Sequence, residues 1–315
     1  MRTAIVKTVV GSLPRFADSL ELSIKKAVDI QLRHNIDIVS DGEQRSDMIG
    51  YFEQIPGLIR SGRRVGIVGR ICRPNHVGDF YKLKDFAFAR RYLKEVGMEH
   101  IALKVGLTGP ITLGFTCAMT QLKSYKSVAD LELYRDLASA LQPLIDELLR
   151  LGAYVQIDEP GLSGQFLDPT QAVAVINEAI ADLKHVEKGG GRLSAHVCGD
   201  LTRTPGLFDL LTRLNVDVLS LAFGGPVERR NLKLVSSDAF INSGKRLGFG
   251  CLSVASRTID SIESVEEVVR LLSEGVRKIS FEKLAYIHPN CGFRETPLDV
   301  VEEILKRMED SAKQL

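Results

Sequence analysis

His196-Val197-Cys198 and the distant Asn290-Cys291-Gly292 hold the residue types in this chain that carry metal chemistry. His196 and Cys198 are two apart, so on an extended strand their side chains share a face and reach one ion from the strand end. Cys291 has to arrive from elsewhere in the sheet. One imidazole and two thiolates form a zinc set with three protein ligands and a fourth position open to water or substrate. A free thiol has a pKa of about 8.5 and is mostly protonated at neutral pH, whereas coordination to zinc deprotonates it. The set therefore suits activation of a substrate thiol as a nucleophile. The bland alternative, a satisfied core histidine beside buried thiols, is set aside for these three residues and adopted for Cys72, Cys117 and Cys251.

Positioning these groups requires a scaffold, and the chain's patterning supplies one. Short β-rich runs alternate with amphipathic segments, as in βα units around a parallel sheet. The runs are read at residues 4–9, 36–40, 101–107, 154–157, 193–197, 216–221, 246–251 and 284–287. Apolar spacings of three and four predict helices over 20–33, 128–151, 169–186, 206–214, 265–274 and 297–308. Residues 64–72 read as a hairpin insertion and 85–96 as a helix. Eight β units predict a closed (β/α)8 TIM barrel, with a segment inserted between the second and third strands and residues 1–315 as one catalytic domain. Polar residues gather just after the runs, where such a barrel builds its active site. They are Gly11-Ser12, Asp41-Gly42-Glu43, Asp158-Glu159-Pro160, His196-Val197-Cys198 and Asn290-Cys291.

Composition narrows the partners. With 41 basic and 40 acidic residues the formal charge is +1, which gives no reason to expect nucleic acid. Five cysteines at irregular spacing do not resemble a secreted disulfide framework, and the start MRTAIVKTVVGS lacks a signal-peptide design, so a reducing cytoplasm is expected. No apolar run approaches the roughly 18 residues of a membrane span, which predicts no membrane partner.

Six motifs in order carry a resemblance over nearly the whole chain. They are Val10-Gly11-Ser12-Leu13-Pro14-Arg15; Asp41-Gly42-Glu43 with Asp47-Met48 and Tyr51-Phe52; Leu107-Thr108-Gly109-Pro110; Ile157-Asp158-Glu159-Pro160; His196-Val197-Cys198-Gly199-Asp200; and Asn290-Cys291-Gly292. Together they resemble the catalytic C-terminal barrel of cobalamin-independent methionine synthase, most nearly its short, single-domain core forms. The resemblance implies a methyltransferase in which His196, Cys198 and Cys291 ligate Zn2+ and homocysteine supplies the thiolate. It implies that Ser12 and the adjoining backbone at Gly11 hold the homocysteine carboxylate, while Glu43 and Asp158 receive its ammonium. The plainer reading of those two acids is ion pairing with an arginine such as Arg45.

Departures from the family pattern shape the expected donor. Family members carry a zinc-binding glutamate where this chain has Ala222, with Glu228, Asp200 and Glu159 as candidate substitutes. The tryptophan that stacks the folate pteridine is replaced by Thr116, and the histidine placed to protonate the leaving amine by Ala255. The resemblance covers the catalytic barrel alone, so no counterpart of the large N-terminal domain that helps bind polyglutamyl folate is expected. An amine leaving group needs general-acid help worth about a hundredfold or more, whereas Co(I) needs none. The expected donor is thus methylcobalamin or a methylated corrinoid protein. The alternatives are alkyl transfer to another thiol such as coenzyme M, folate-dependent methionine synthesis, and a non-catalytic homocysteine- or corrinoid-binding relative.

Overall fold

The computed structural model describes residues 5–164, 167–186, 189–236 and 238–315. Among these residues nine strands run in chain order: β1 Ile38–Ser40, β2 Leu58–Ser61, β3 Arg64–Ile67, β4 Ala102–Thr108, β5 Tyr154–Asp158, β6 Leu193–Val197, β7 Val218–Ala222, β8 Arg246–Leu252 and β9 Leu284–Pro289. Seven form one curled sheet in the order β1-β4-β5-β6-β7-β8-β9, every neighbouring pair parallel.

The first expected strand closes the ring without becoming a ladder. Lys7 bridges Ile287 on β9 and Thr8 bridges Ile38 on β1, both in the parallel sense. Thr8 N–H donates to Ile287 O at 3.0 Å, Ile287 N–H to Val6 O at 2.9 Å and Ile38 N–H to Lys7 O at 3.2 Å. Buried Thr8 also donates its hydroxyl to Ile38 O at 2.7 Å, tying the seam with a side chain. Ala4, the start of that expected run, lies outside the described residues.

Helices clothe the sheet: α1 Leu20–Arg33, α2 Tyr81–Glu95, α3 Pro110–Thr120, α4 Leu131–Arg150, α5 Pro169–Ala179, α6 Leu207–Leu211, α7 Asp238–Asn242, α8 Val265–Ile279 and α9 Leu298–Gln314. Their starts follow local chemistry. Ser19 accepts from Leu22 N–H at the head of α1, and Ser264 with Glu267 forms a reciprocal capping box on α8. Leu137, Leu141, Leu144 and Leu148 bury one stripe of α4, which packs on β5, α3 and α5. Among the described residues no helix is long and apolar enough to cross a membrane.

Several expectations shift. The hairpin pairs β2 with β3 antiparallel, so it begins at Leu58 and the expected 64–72 segment is only its second half. The helix expected over 85–96 starts at Tyr81, and that over 169–186 stops at Ala179, shortly before Asp182 takes a left-handed φ of 53°. The 206–214 segment narrows to Leu207–Leu211. Helix α3 has no counterpart in the sequence reading. Its N-terminal N–H groups at Ile111 and Thr112 donate to the carboxylate of Glu159, 2.9 and 2.8 Å away on a different loop. A cap borrowed across space leaves no local signature.

Period-two alternation turns one side of each strand to the helices and the other into the barrel. Leu103, Val105, Val155, Ile157, Ala195, Val197, Leu219, Leu221 and Ile287 join the main apolar core. The alternate positions of β4 to β9 instead present Lys104, Gln156, Asp158, Ser194, His196, Ser220 and His288. Bulky branched residues usually fill such an interior. Here a hydrogen-bonded polar column runs up to the mouth, above a small apolar floor of Ile38, Val218 and Tyr286.

Candidate metal centre

Ligand atoms of His196, Cys198 and Cys291 all lie within 4.8 Å of one another, so the three residues singled out by type and spacing do converge. His196 is the penultimate residue of β6, Cys198 follows directly after that strand, and Cys291 lies in the loop after β9. A tetrahedral ion at about 2.0–2.3 Å from each ligand spaces them roughly 3.3–3.8 Å apart, so only a small contraction separates this arrangement from a zinc site. The thiols already interact: the hydrogen bond with Cys198 holds Cys291 well below the ordinary thiol pKa, and the same bond together with burial pushes Cys198 up.

The histidine gives the sharper test. His196 is 2% exposed; its Nδ1 lies 3.0 Å from Ser220 Oγ, and its Nε2 is buried with no hydrogen-bond partner among the described residues. A buried ring nitrogen without a partner is costly, and one beside two sulfurs is relieved by a cation. The donor set fits zinc.

No carboxylate joins this group among the described residues. Ala222 closes β7 fully buried, its carbonyl accepting from Asn231 Nδ2 at 2.9 Å. The candidate substitutes are engaged elsewhere. Glu159 accepts from two α3 amides and from Thr112 Oγ1 at 2.6 Å; Asp200 caps the turn at Leu201–Arg203 and pairs with Arg230; Glu228 sits in the turn Glu228–Lys233. Three protein ligands leave the fourth position to water or substrate.

Glu43 and Asp158 approach each other over β4. A methyl built on Gly106 would sit 2.7 Å from Asp158 Oδ2 and 3.6 Å from Glu43 Oε1, so both carboxylates face the same stretch of bare backbone. Their partners differ from the arginine pairing considered from sequence. Arg45 binds Asp85 instead, with Nε at 3.1 and 2.9 Å from its two oxygens. Glu43 takes the buried Lys82, Nζ to Oε1 2.7 Å, and that ammonium stands 3.9 Å from the Tyr51 ring centroid. Burial alone would lower the Lys82 pKa, but Glu43 and Asp41 outweigh it and hold it up. Among the described residues Asp158 has no such counter-ion in contact. Its Oδ1 accepts from Gln156 Nε2 at 2.8 Å, and Gln156 Oε1 accepts from Lys104 Nζ at 3.0 Å. Burial, with Glu43 adding, pushes the Asp158 pKa up to about 7. Burial likewise brings Lys104 down to about 7, against the pull of Asp158.

Gly11 and Ser12 meet the same mouth. Ser40 Oγ donates to Gly11 O at 2.6 Å, and Phe293 N–H donates to Ser12 O at 2.8 Å, tying the first loop to the Cys291 loop. A Cβ on Gly292 would fall 2.3 Å from Ser12 Oγ, which explains the glycine after the cysteine. Glu43 itself adopts a left-handed φ of 53°, strain of about 1–2 kcal/mol held by the Asp41 carboxylate accepting its N–H at 2.9 Å.

Sequence reasoning missed Lys82, Lys104, Gln156, Ser220 and His288. The last four carried a signal: each is polar at an inward position of a strand whose neighbours in a parallel sheet are apolar.

Residues 2–314 match the family described as "Cobalamin-independent synthase, Catalytic domain". A methionine synthase of Methanocaldococcus jannaschii is 30% identical, the match covering 98% of this chain and 99% of that protein. A 5-methyltetrahydropteroyltriglutamate–homocysteine methyltransferase of Shewanella oneidensis is 24% identical over 96% of this chain, which spans 39% of that longer protein. In solved structures, a B12-independent methionine synthase from Shewanella sp. W3-18-1 superposes with a TM-score of 0.77 at 23% identity, covering 99% of this chain and 98% of that one, and shows the same barrel-type fold. The expected methyl-corrinoid donor and corrinoid-protein partner find no support here, since the family is described as cobalamin-independent. The chain belongs to the family of cobalamin-independent synthase catalytic domains and is a methyltransferase.

Proposed function

We propose that this enzyme makes methionine by moving a methyl group onto homocysteine, with zinc held by His196, Cys198 and Cys291. The observation that carries this reading is the buried, unpartnered Nε2 of His196 facing two cysteine sulfurs at the barrel mouth. Zinc bound there would hold the substrate sulfur as thiolate at neutral pH. That sulfur attacks the methyl carbon in line, forming the S–CH3 bond as the donor leaves with the bonding electron pair. The protein's part is positioning: Asp158, with Glu43 beside it, receives the α-ammonium, and Ser12 with the Gly11 backbone holds the carboxylate. A sulfonate-bearing thiol such as coenzyme M has no ammonium for these acids and would be repelled by them. About one zinc per purified chain, lost in His196→Ala together with methionine formation, is the expected result. A zinc-free wild-type enzyme with full turnover would overturn the reading.

The bare backbone at Gly106 offers a finer check. Gly106→Ala places a methyl against Asp158 Oδ2, so the carboxylate must rotate out of line with its partner. The KM for homocysteine is expected to rise about tenfold or more, the worth of one charge-assisted hydrogen bond, with zinc content unchanged.

For the donor, the family description favours a folate-type methyl group. A second reading, a donor whose leaving group needs no proton, is supported locally: position 255 is an exposed alanine, and Thr116 spends its hydroxyl on Thr112 O at 2.8 Å. Methionine formed with methylcobalamin, and at least about a hundredfold slower with methyltetrahydrofolate, supports the second reading. Efficient turnover on methyltetrahydrofolate discards it.

A further inference from the structure

Below the metal centre the polar column continues inward, and its hydrogen bonds have only one consistent direction. His288 Nδ1 stands 2.6 Å from Pro289 O, a carbonyl that can only accept, so Nδ1 carries the proton. In the neutral ring Nε2 is then an acceptor, and its partner 3.0 Å away is Ser220 Oγ, which must donate. A hydroxyl has one proton. Having given it to His288, Ser220 can only accept from its other neighbour, His196 Nδ1, at 3.0 Å. His196 is therefore protonated on Nδ1, and the lone pair sits on Nε2, the buried atom with no partner. All three side chains are buried, at 2% exposure or less, on three different strands, so water does not compete for these bonds.

We propose that Ser220 and His288 are positioning residues for the metal centre, a hydrogen-bond relay that starts at the Pro289 carbonyl and fixes both the tautomer and the ring orientation of His196. The inference rests on zinc being bound at His196. A ligating histidine whose second nitrogen donates to a fixed acceptor is a better and better-aimed ligand, and loss of such a partner weakens metal binding by roughly ten- to a hundredfold. The relay has added weight here because Ala222 contributes no ligand, leaving three residues to hold the ion. It also accounts for two polar side chains inside a barrel that apolar residues would otherwise fill.

Zinc affinity, measured by competition with a chelating dye, reads this out apart from turnover. Ser220→Ala and His288→Leu are each expected to bind zinc roughly ten- to a hundredfold more weakly than wild type, and the double variant little more weakly than either, because both break one chain. Ser220→Thr keeps the hydroxyl and His288→Gln keeps an acceptor, so both should recover most of the affinity. In the Co(II)-substituted protein the ligand-field absorption should change with Ala and Leu and return with Thr and Gln, which a packing role would not produce. If Ser220→Ala does not fold, the His288 pair carries the comparison. Wild-type affinity in folded Ser220→Ala or His288→Leu overturns the relay while leaving the zinc reading intact. Undiminished zinc binding in His196→Ala overturns the zinc reading and the relay with it.

Discussion

Replacing Cys291 with serine is expected to lower both zinc affinity and kcat/KM by roughly two to three orders of magnitude while leaving the metal-free protein folded. The size follows from the coordination: structural zinc sites bind with about 10–16 kcal/mol over four ligands, so one ligand carries about 2.5–4 kcal/mol, and every 1.36 kcal/mol is tenfold. Serine cannot substitute, because its hydroxyl stays protonated where a thiolate is needed. The fold should tolerate the change. Cys291 is half-buried in a loop, and that loop is fixed by backbone contacts, Phe293 N–H to Ser12 O and Asn290 N–H to Leu252 O, which serine leaves alone. Melting temperatures of the metal-free proteins should therefore agree within about 4 °C, the shift for roughly 1 kcal/mol in a domain of this size. The comparison must be made without zinc, because metal bound only by the native state raises the wild-type melting temperature by mass action. A folded serine variant with wild-type zinc content and turnover would remove Cys291 from the centre; collapse of the fold would give it a packing role.

The parts of this molecule legible in the sequence are those whose cause is local. Strand β6 and helix α1 have the bounds expected from the apolar run at 193–197 and from the stripe of Ile24, Ala27 and Val28, because alternation and the 3.6-residue period are written in consecutive residues. The His-x-Cys pair was readable for the same reason, and barrel topology put the Cys291 loop at the same mouth without fixing how close the two would come. What failed to show depended on distant partners. Helix α3 is capped by Glu159, which reaches it from another loop. Lys82, one residue into α2, reads as a solvated charge until the fold sets it on Glu43 and the Tyr51 ring. That contact changes the expected roles of the two acids. Glu43 would meet a substrate ammonium already paired with a lysine, whereas Asp158 would meet it, among the described residues, with a glutamine amide.

Asp158→Asn follows from that asymmetry and should lower kcat/KM for homocysteine by about tenfold to a hundredfold or more, the worth of one charged hydrogen bond of about 1.5–3 kcal/mol. The loss should appear chiefly in KM, since the ammonium is bound alike before and during methyl transfer. A homocysteine analogue lacking the amino group should react equally poorly with both proteins, which separates ammonium binding from damage to the metal centre. The pH profile follows from the same residue. Asp158 must be ionised to bind an ammonium, and burial has raised its pKa to about 7, so kcat/KM should fall as pH drops below about 7, approaching tenfold per unit. The asparagine variant should lose that limb. Stability runs the opposite way. A carboxyl whose folded pKa lies above the ordinary 3.8 favours the native state when protonated, so its contribution is complete below about 4 and is lost as pH rises through about 7. Asparagine keeps an oxygen to accept from Gln156 Nε2 and has no charge to bury, so at pH 8 the variant should melt at or above the wild-type temperature. A variant that is less active and also less stable at pH 8 would mark Asp158 as a structural acid and return the ammonium to Glu43.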